Sequence, residues 1–320
     1  MNPGSLSLIH KKMKQHKPPQ DGKDSNTKKA GPRERKPERL QKVMAAAGLG
    51  SRRMLEQKIR KGEILVNNKK ATLGQTADAG DLISFADKDW KVVELATEQR
   101  SLVYNKPTGE VTTRSDPQGR PTVFDNLPVI HGGRWVAVGR LDINTSGLLL
   151  MTTDGELANA MMHPSSQVDR EYACRIFGDV DAEKLINLRK GVMLEDGMAQ
   201  FSDIQAAGGD DVNRWYHVTL LEGRNREVRR LWASQDVVVS RLKRVRYGAV
   251  FLPKRLRMGD WAELTAADHK ILREDVGLGP LPAQLTLKAE KGQRESDKRG
   301  ARKKYGPRKK STRYKNVDRK

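Results

Sequence analysis

The run Gly139-Arg140-Leu141-Asp142-Ile143-Asn144-Thr145-Ser146-Gly147-Leu148-Leu149-Leu150, continuing through Met151-Thr152-Thr153-Asp154-Gly155, decides how this chain is read. An apolar, strand-like stretch at 135–138 leads into Asp142, a small polar turn follows, and a second apolar run ends in a second turn. Aspartate in a turn most often caps nearby backbone N–H groups. Set between two buried strands, it is also fixed in place and partly dried, which are the conditions that make a weak nucleophile useful. Asp142 is therefore the first candidate for chemistry. Drying disfavours the charged form, so a cation is expected beside it.

Outward from that run, the pattern alternates between strand and helix periods without a regular rhythm. Residues 102–105 read as a strand ending in Lys106-Pro107. Residues 154–162 read as a helix with Leu157, Ala160 and Met161 on one face. Residues 170–177 alternate, with Tyr172, Cys174 and Ile176 on one side. Leu185 and Leu188 belong to a helix that Gly191 stops. Residues 215–221 and 237–247 read as strands, with a helix at 227–233 between them. On that helix Val228, Leu231 and Trp232 form the buried stripe and Arg229 sits at its border. Mixed elements without βαβ order predict an α+β fold on a mainly antiparallel mixed sheet. If 135–142 stays extended, Arg140 and Asp142 face the same side.

Nearer the N-terminus, Leu40, Val43, Met44 and Ala47 make a helical stripe over 38–50. Ser51 is a natural N-cap for a second helix to about residue 61, where Gly62 stops it. Short strands follow at 64–66, 71–73 and 82–85. The second helix displays Arg52, Arg53, Lys58, Arg60 and Lys61. The predicted organisation is a basic tail at 1–36, a helix-helix-β module with its linker at 37–97, a larger domain at 98–282 and a second basic tail at 283–320.

Charge separates these parts. The 320-residue chain carries a formal net charge of +21. Residues 1–36 hold ten Lys/Arg against three acids, and residues 286–320 hold fifteen against four. Both ends are poor in branched apolar residues, so disorder is expected there. Two cationic arms on a nearly neutral body point to a polyanion, most simply nucleic acid.

Several function classes drop out. A lone Cys174 excludes an internal disulfide and any multi-cysteine zinc site, and the six histidines show no ligand spacing, so no metal is expected. No run of 18 apolar residues occurs to span a membrane. Lys11, Lys12 and Lys14 precede no apolar segment of the kind a secretory signal needs, so a cytoplasmic protein is expected. No glycine-rich loop has Walker or Rossmann spacing, and no cofactor is expected.

Two sets of residues carry a family resemblance. Glu38-Arg39-Leu40-Gln41-Lys42-Val43, Ser51-Arg52-Arg53 and the glycine-led stretch from Gly62 to Asn67 resemble an S4 domain, which docks its helices on structured RNA. The run around Asp142, Arg170-Glu171-Tyr172 and Glu222-Gly223-Arg224-Asn225-Arg226-Glu227-Val228-Arg229 resemble the S4-containing pseudouridine synthases of ribosomal RNA. Residues 113–125 are most similar to members acting on 23S rRNA of the large subunit.

The resemblance implies that Asp142 starts the isomerisation of a uridine, in which C1′–N1 breaks, the base turns over and C1′–C5 forms. Attack on C1′, addition to C6 and deprotonation of the sugar all remain open as its first step. It further implies that Arg229 pairs with the aspartate, Val228 packs near the base, and Tyr172 stacks on the uracil and serves late proton removal. Arg140 is a candidate for the phosphate or ribose of the flipped nucleotide. Arg52, Arg53, Lys58, Arg60 and Lys61 are the candidates for RNA phosphates. The expected partner is large-subunit 23S rRNA, bound by a monomer with neither cofactor nor membrane. The alternatives are the same chemistry at another rRNA site, or a non-catalytic rRNA-binding assembly factor.

Overall fold

A computed structural model describes residues 37–95, 99–130, 133–210, 213–281 and 284–290. The contacts divide it into a smaller unit, made from residues 37–45, 50–94 and 285–290, and a larger one covering most of 95–284.

In the smaller unit, helices Leu40–Ala46 and Arg52–Arg60 bury Leu40, Val43, Met44, Leu55 and Ile59. The Ser51 hydroxyl accepts the Met54 N–H at 3.1 Å, so the expected N-cap forms. The helix predicted from residue 38 starts later, because Glu38–Arg39 pairs as a short strand with Thr76–Ala77. Lys69–Lys70, rather than 71–73, pairs with Leu65–Val66.

Among the described residues the second pair belongs to a five-stranded sheet, the first forms a separate two-stranded one, and the tail reading missed one strand of the larger. Gln284–Ala289 lies on its edge beside Lys88–Leu95, and the Glu290 N–H donates to the Asp89 carbonyl at 2.9 Å. The described structure therefore continues past the expected tail boundary at 283, as far as Glu290. Leu285 and Leu287 are buried there, and the dense lysine and arginine after them hid that two-residue alternation. The expected disordered tails otherwise lie outside the described residues.

The larger unit is built on a nine-stranded sheet among the described residues. Its main path runs Asp203–Gly209, Asn213–Leu220, Arg170–Phe177, Val238–Tyr247, Ser146–Thr152, Ser101–Lys106, Trp261–Glu263. Only the central pair, Val238–Tyr247 with Ser146–Thr152, is parallel among the registers described. That is the α+β, mainly antiparallel architecture expected.

Ser146–Thr152 and Ser101–Lys106 are buried along their whole length, which explains their unbroken apolar runs. Helix Gly155–Met162 packs on this half through Leu157, Ala158 and Met161, together with Leu272 of helix Ala266–Asp275. In the other half, helix Glu227–Ala233 covers one sheet face through Val228, Leu231 and Trp232.

Gly147 marks the join of the halves. Its φ is +99°, and a Cβ there would lie 2.2 Å from the Arg244 carbonyl oxygen of the parallel neighbour. A larger residue would force apart the strands that carry the turn at Asp142.

Candidate active site

Strand Val136–Val138 ends before Gly139, so Arg140 and Asp142 lie on irregular backbone and not on a common strand face, as the sequence suggested. Both still line one cleft of about 420 Å³, with Tyr172, Val228, Arg170, Arg244 and Tyr247 among its walls. That volume lies within the range of small-molecule sites.

The backbone of the Asp142 turn is held at every carbonyl. The Asp142 oxygen accepts from Lys106 Nζ at 3.1 Å and from the Thr145 N–H at 3.0 Å. The Ile143 oxygen takes the Gly109 N–H at 2.8 Å, and the Asn144 oxygen takes Arg229 Nη2 at 3.1 Å. The Thr145 oxygen takes Lys106 Nζ at 2.9 Å. Ahead of the turn, the Leu141 oxygen accepts from the Thr112 hydroxyl at 2.9 Å. The Lys106 ammonium, fully buried, thus clamps both ends of the turn, and burial pushes its pKa down to about 8.

The Asp142 carboxylate is treated differently. Its side chain is 35% exposed and accepts no hydrogen bond among the described residues. The nearest guanidinium is Arg226, with Nη1 3.9 Å from Oδ2, and not Arg229 as expected. Arg229 spends its Nη groups on the Val239 and Asn144 carbonyls, so it braces the turn and meets the carboxylate only through longer-range attraction. Burial, then the nearby Arg226, lower the Arg229 pKa, while Asp142 raises it.

Arg226 carried no signal in the sequence reading. It sits at φ +49°, a left-handed conformation unusual for arginine, just before helix Glu227–Ala233. The Glu227 side chain accepts the Arg224 N–H at 3.0 Å and holds that bend. Glu227 is buried, which pushes its carboxyl up from the ordinary value. A half-exposed pair at 3.9 Å contributes only about 0–1 kcal/mol to stability. The strained bend is better explained by the cleft than by the fold.

Tyr172 and Val228 stand on the walls where they were expected, and Val228 is buried. The sequence reading also missed Arg244 as a wall residue. It is buried, gives Nε to the Leu148 carbonyl at 2.8 Å and stacks 4.9 Å over Tyr247. With Arg140, Arg170, Arg224, Arg226 and Arg244 against Asp142 and Glu227, the cleft is strongly cationic, as a phosphate chain requires.

In the smaller unit, Arg52, Arg53, Arg60 and Lys61 are exposed as predicted, whereas Lys58 is tied to Glu63. Exposed Lys69 and Lys70 add two cations that the sequence reading did not single out.

Comparison with known proteins places this geometry. Residues 38–83 match the S4 domain, and residues 100–234 match the RNA pseudouridylate synthases. The ribosomal large subunit pseudouridine synthase B of Pseudomonas aeruginosa is 56% identical over 265 residues, covering 82% of this chain and 69% of that protein. Its namesake in Vibrio cholerae is 57% identical over 245 residues, 76% of each chain. The chain belongs to the RNA pseudouridylate synthases. A crystal structure of a pseudouridylate synthase superposes with a TM-score of 0.51 at 26% identity, covering 73% of this chain and 99% of that one.

The pseudouridine synthase is therefore an isomerase of the large-subunit rRNA type. Among its described residues, no group of His, Cys, Asp and Glu is placed to hold a metal, and no helix is long and apolar enough to cross a membrane. Cys174 is buried, and burial pushes its thiol up to about 12.

Proposed function

We propose that this synthase converts a specific uridine of 23S rRNA to pseudouridine, with Asp142 starting the cleavage of C1′–N1. The observation that carries the reading is the contrast inside the turn, whose backbone carbonyls are all engaged while the carboxylate is left unbonded in a cleft that suits a pyrimidine. Pinning the backbone fixes the direction of attack without spending the lone pairs that must react.

The uridine enters the cleft by leaving its stack. Tyr172 takes one face of the uracil and Val228 supports its edge. The base leaves C1′ through N1, turns, and returns through C5. The C5 proton is lost and N1 gains one, so composition and redox state are unchanged and no cofactor is called for. Arg226 and Arg140 take the flanking phosphates, Arg229 holds the turn, and Tyr172 serves the late proton transfer. In the smaller unit, Arg52, Arg53, Arg60 and Lys61 bind phosphates further along the RNA, with Lys58 in a lesser role. The names of the similar proteins support a large-subunit target. The same reading takes the synthase to act as a monomer in the cytoplasm, where rRNA is its substrate.

Asp142→Asn tests the catalytic role: it is expected to abolish pseudouridine formation and to leave RNA affinity within about twofold. Mapping pseudouridines across rRNA from cells with and without the protein tests the target. An unchanged 23S map removes that part of the reading.

A further inference from the structure

The half of the sheet that carries Tyr172 has a second face turned away from the cleft. In strand Arg170–Phe177, Tyr172, Cys174 and Ile176 face the cleft and core. Glu171, Ala173, Arg175 and Phe177 alternate to the other side. The register sets them in rows. Phe177 lies between Asn213 and Val238, Arg175 between Trp215 and Arg241, Ala173 between His217 and Lys243, and Glu171 between Thr219 and Arg246.

Two register shifts between this strand and its partner Val238–Tyr247 shape this face. The shift at Ser240 resets the alternation, so Arg241 and Lys243 align with the outward residues while Leu242 turns into the core. If the alternation ran unbroken through Ser240, Leu242 would point outward and Arg241 into the core.

The face thus has planar side chains along one strand and cations along another, with Ala173 as a low floor between them. Phe177 is 53% exposed, although an aromatic ring at a sheet surface is normally covered. Two acids lie on the face: Glu171 accepts Arg246 Nε at 2.9 Å and lies 2.9 Å from His217 Nδ1, and exposed Asp203, beyond Thr219 in the same row, accepts Gln205 Nε2 at 2.7 Å. Arg175 donates Nε to the Ser240 hydroxyl at 2.9 Å. Arg175, Arg241 and Lys243 have no carboxylate partner among the described residues. Uncompensated cations beside exposed rings complement a flexible polyanion with stacking bases, which is how sheet surfaces hold single-stranded RNA.

We propose that this outer face is a second RNA-binding surface, distinct from the cleft, that takes a single-stranded segment of the same substrate. Bases stack on Phe177 and Trp215, and phosphates meet Arg175, Arg241 and Lys243. The proposal rests on RNA being the substrate, and it adds a contact on the far side of the sheet from the reacting uridine.

The test uses the full-length chain. Cross-linking with 4-thiouridine-labelled oligouridine, mapped by peptide mass spectrometry, is expected to label the peptides carrying Phe177 and Trp215. Phe177→Ser should remove the label at its site. The double variant Arg241→Gln/Lys243→Gln should weaken oligouridine binding about threefold to tenfold. It should also lower the slope of log affinity against log salt by about 1.4, from roughly 0.7 for each lost phosphate contact on a single strand. Its turnover of saturating rRNA should stay unchanged. Cross-links confined to other peptides, or an unaltered salt slope in the double variant, would overturn the proposal. Failure of the functional reading is separate: the unaltered protein would then make no pseudouridine at saturating RNA, whatever the cross-links show.

Discussion

Asp142 and Asp154 stand twelve positions apart in one stretch of sequence, each in a turn at the edge of a buried strand, yet the fold uses them in opposite ways. Asp154 is fully buried and every lone pair has a claimant. One oxygen caps helix Gly155–Met162 through the Glu156 and Leu157 N–H groups, both at 3.0 Å. The other meets Arg273, with His269 3.3 Å away. Arg273 continues to Glu156 at 3.0 Å, and His269 to the Ser101 hydroxyl at 2.8 Å. Asp142 has its backbone bonded and its carboxylate left free. Structural carboxylates are those whose acceptor sites are filled by the protein, and a reactive one must keep them open.

Exchanging each aspartate for asparagine gives the largest separation of effects. Asp142→Asn is expected to cost at least about 10³-fold in turnover, because the reacting group itself is removed. Its melting temperature should hardly move, since the carboxylate makes no hydrogen bond among the described residues. Asp154→Asn should do the reverse, losing about 3–5 kcal/mol of stability by stranding a buried guanidinium. Turnover per folded molecule should remain. Denaturant titration beside single-turnover kinetics reads both, and a cold-stable but inactive Asp154→Asn would break the comparison.

Arg226→Gln comes next, with about tenfold lower turnover and a stability change below about 1 kcal/mol. Arg226→Lys should recover part of the activity by restoring the charge. If Arg229→Gln instead shows the larger kinetic loss with no loss of stability, the pairing inferred from the 3.9 Å contact is wrong.

Acid sharpens the contrast further. Burial pushes the Asp154 carboxyl up, but His269, the Leu157 N–H and Arg273 outweigh it and hold its pKa below the ordinary 3.8. A depressed carboxylate contributes stability that is complete above its unfolded value and lost as pH falls through its folded one. Stability should therefore drop below about pH 4, and the drop should be shallower in Asp154→Asn.

The smallest effect concerns Lys106. With its pKa lowered to about 8, it loses a proton in mild alkali, and a neutral amine has too few N–H groups for its three carbonyl partners. Turnover should fall about twofold to fivefold above pH 8, about the worth of one hydrogen bond. Lys106→Met should start lower and lack that limb.

Much of this was legible locally. The strand at 170–177, the helix at 227–233 and the Ser51 cap appear where period and capping chemistry put them, because those signals depend on neighbours a few residues away. Asp142 stood out by its setting and motif, and Tyr172 and Val228 by their motifs, and all three line one cleft. Arg226 could not, since nothing local separates it from Arg224 or Arg229. Its place depends on a left-handed bend fixed by the buried Glu227. The strand at Gln284–Ala289 stayed hidden because its partner lies about two hundred residues away in sequence.

The sequence alone determined the α+β class and the cationic character, which follow from composition and short-range pattern, and it singled out Asp142 as the candidate carboxylate through its setting and its resemblance to a family motif. Only the tertiary structure decided which guanidinium faces that carboxylate, which lysine clamps its turn, and which strand face is left open with rings and cations. Those outcomes depend on directions in space between groups far apart along the chain, and a linear pattern carries no direction.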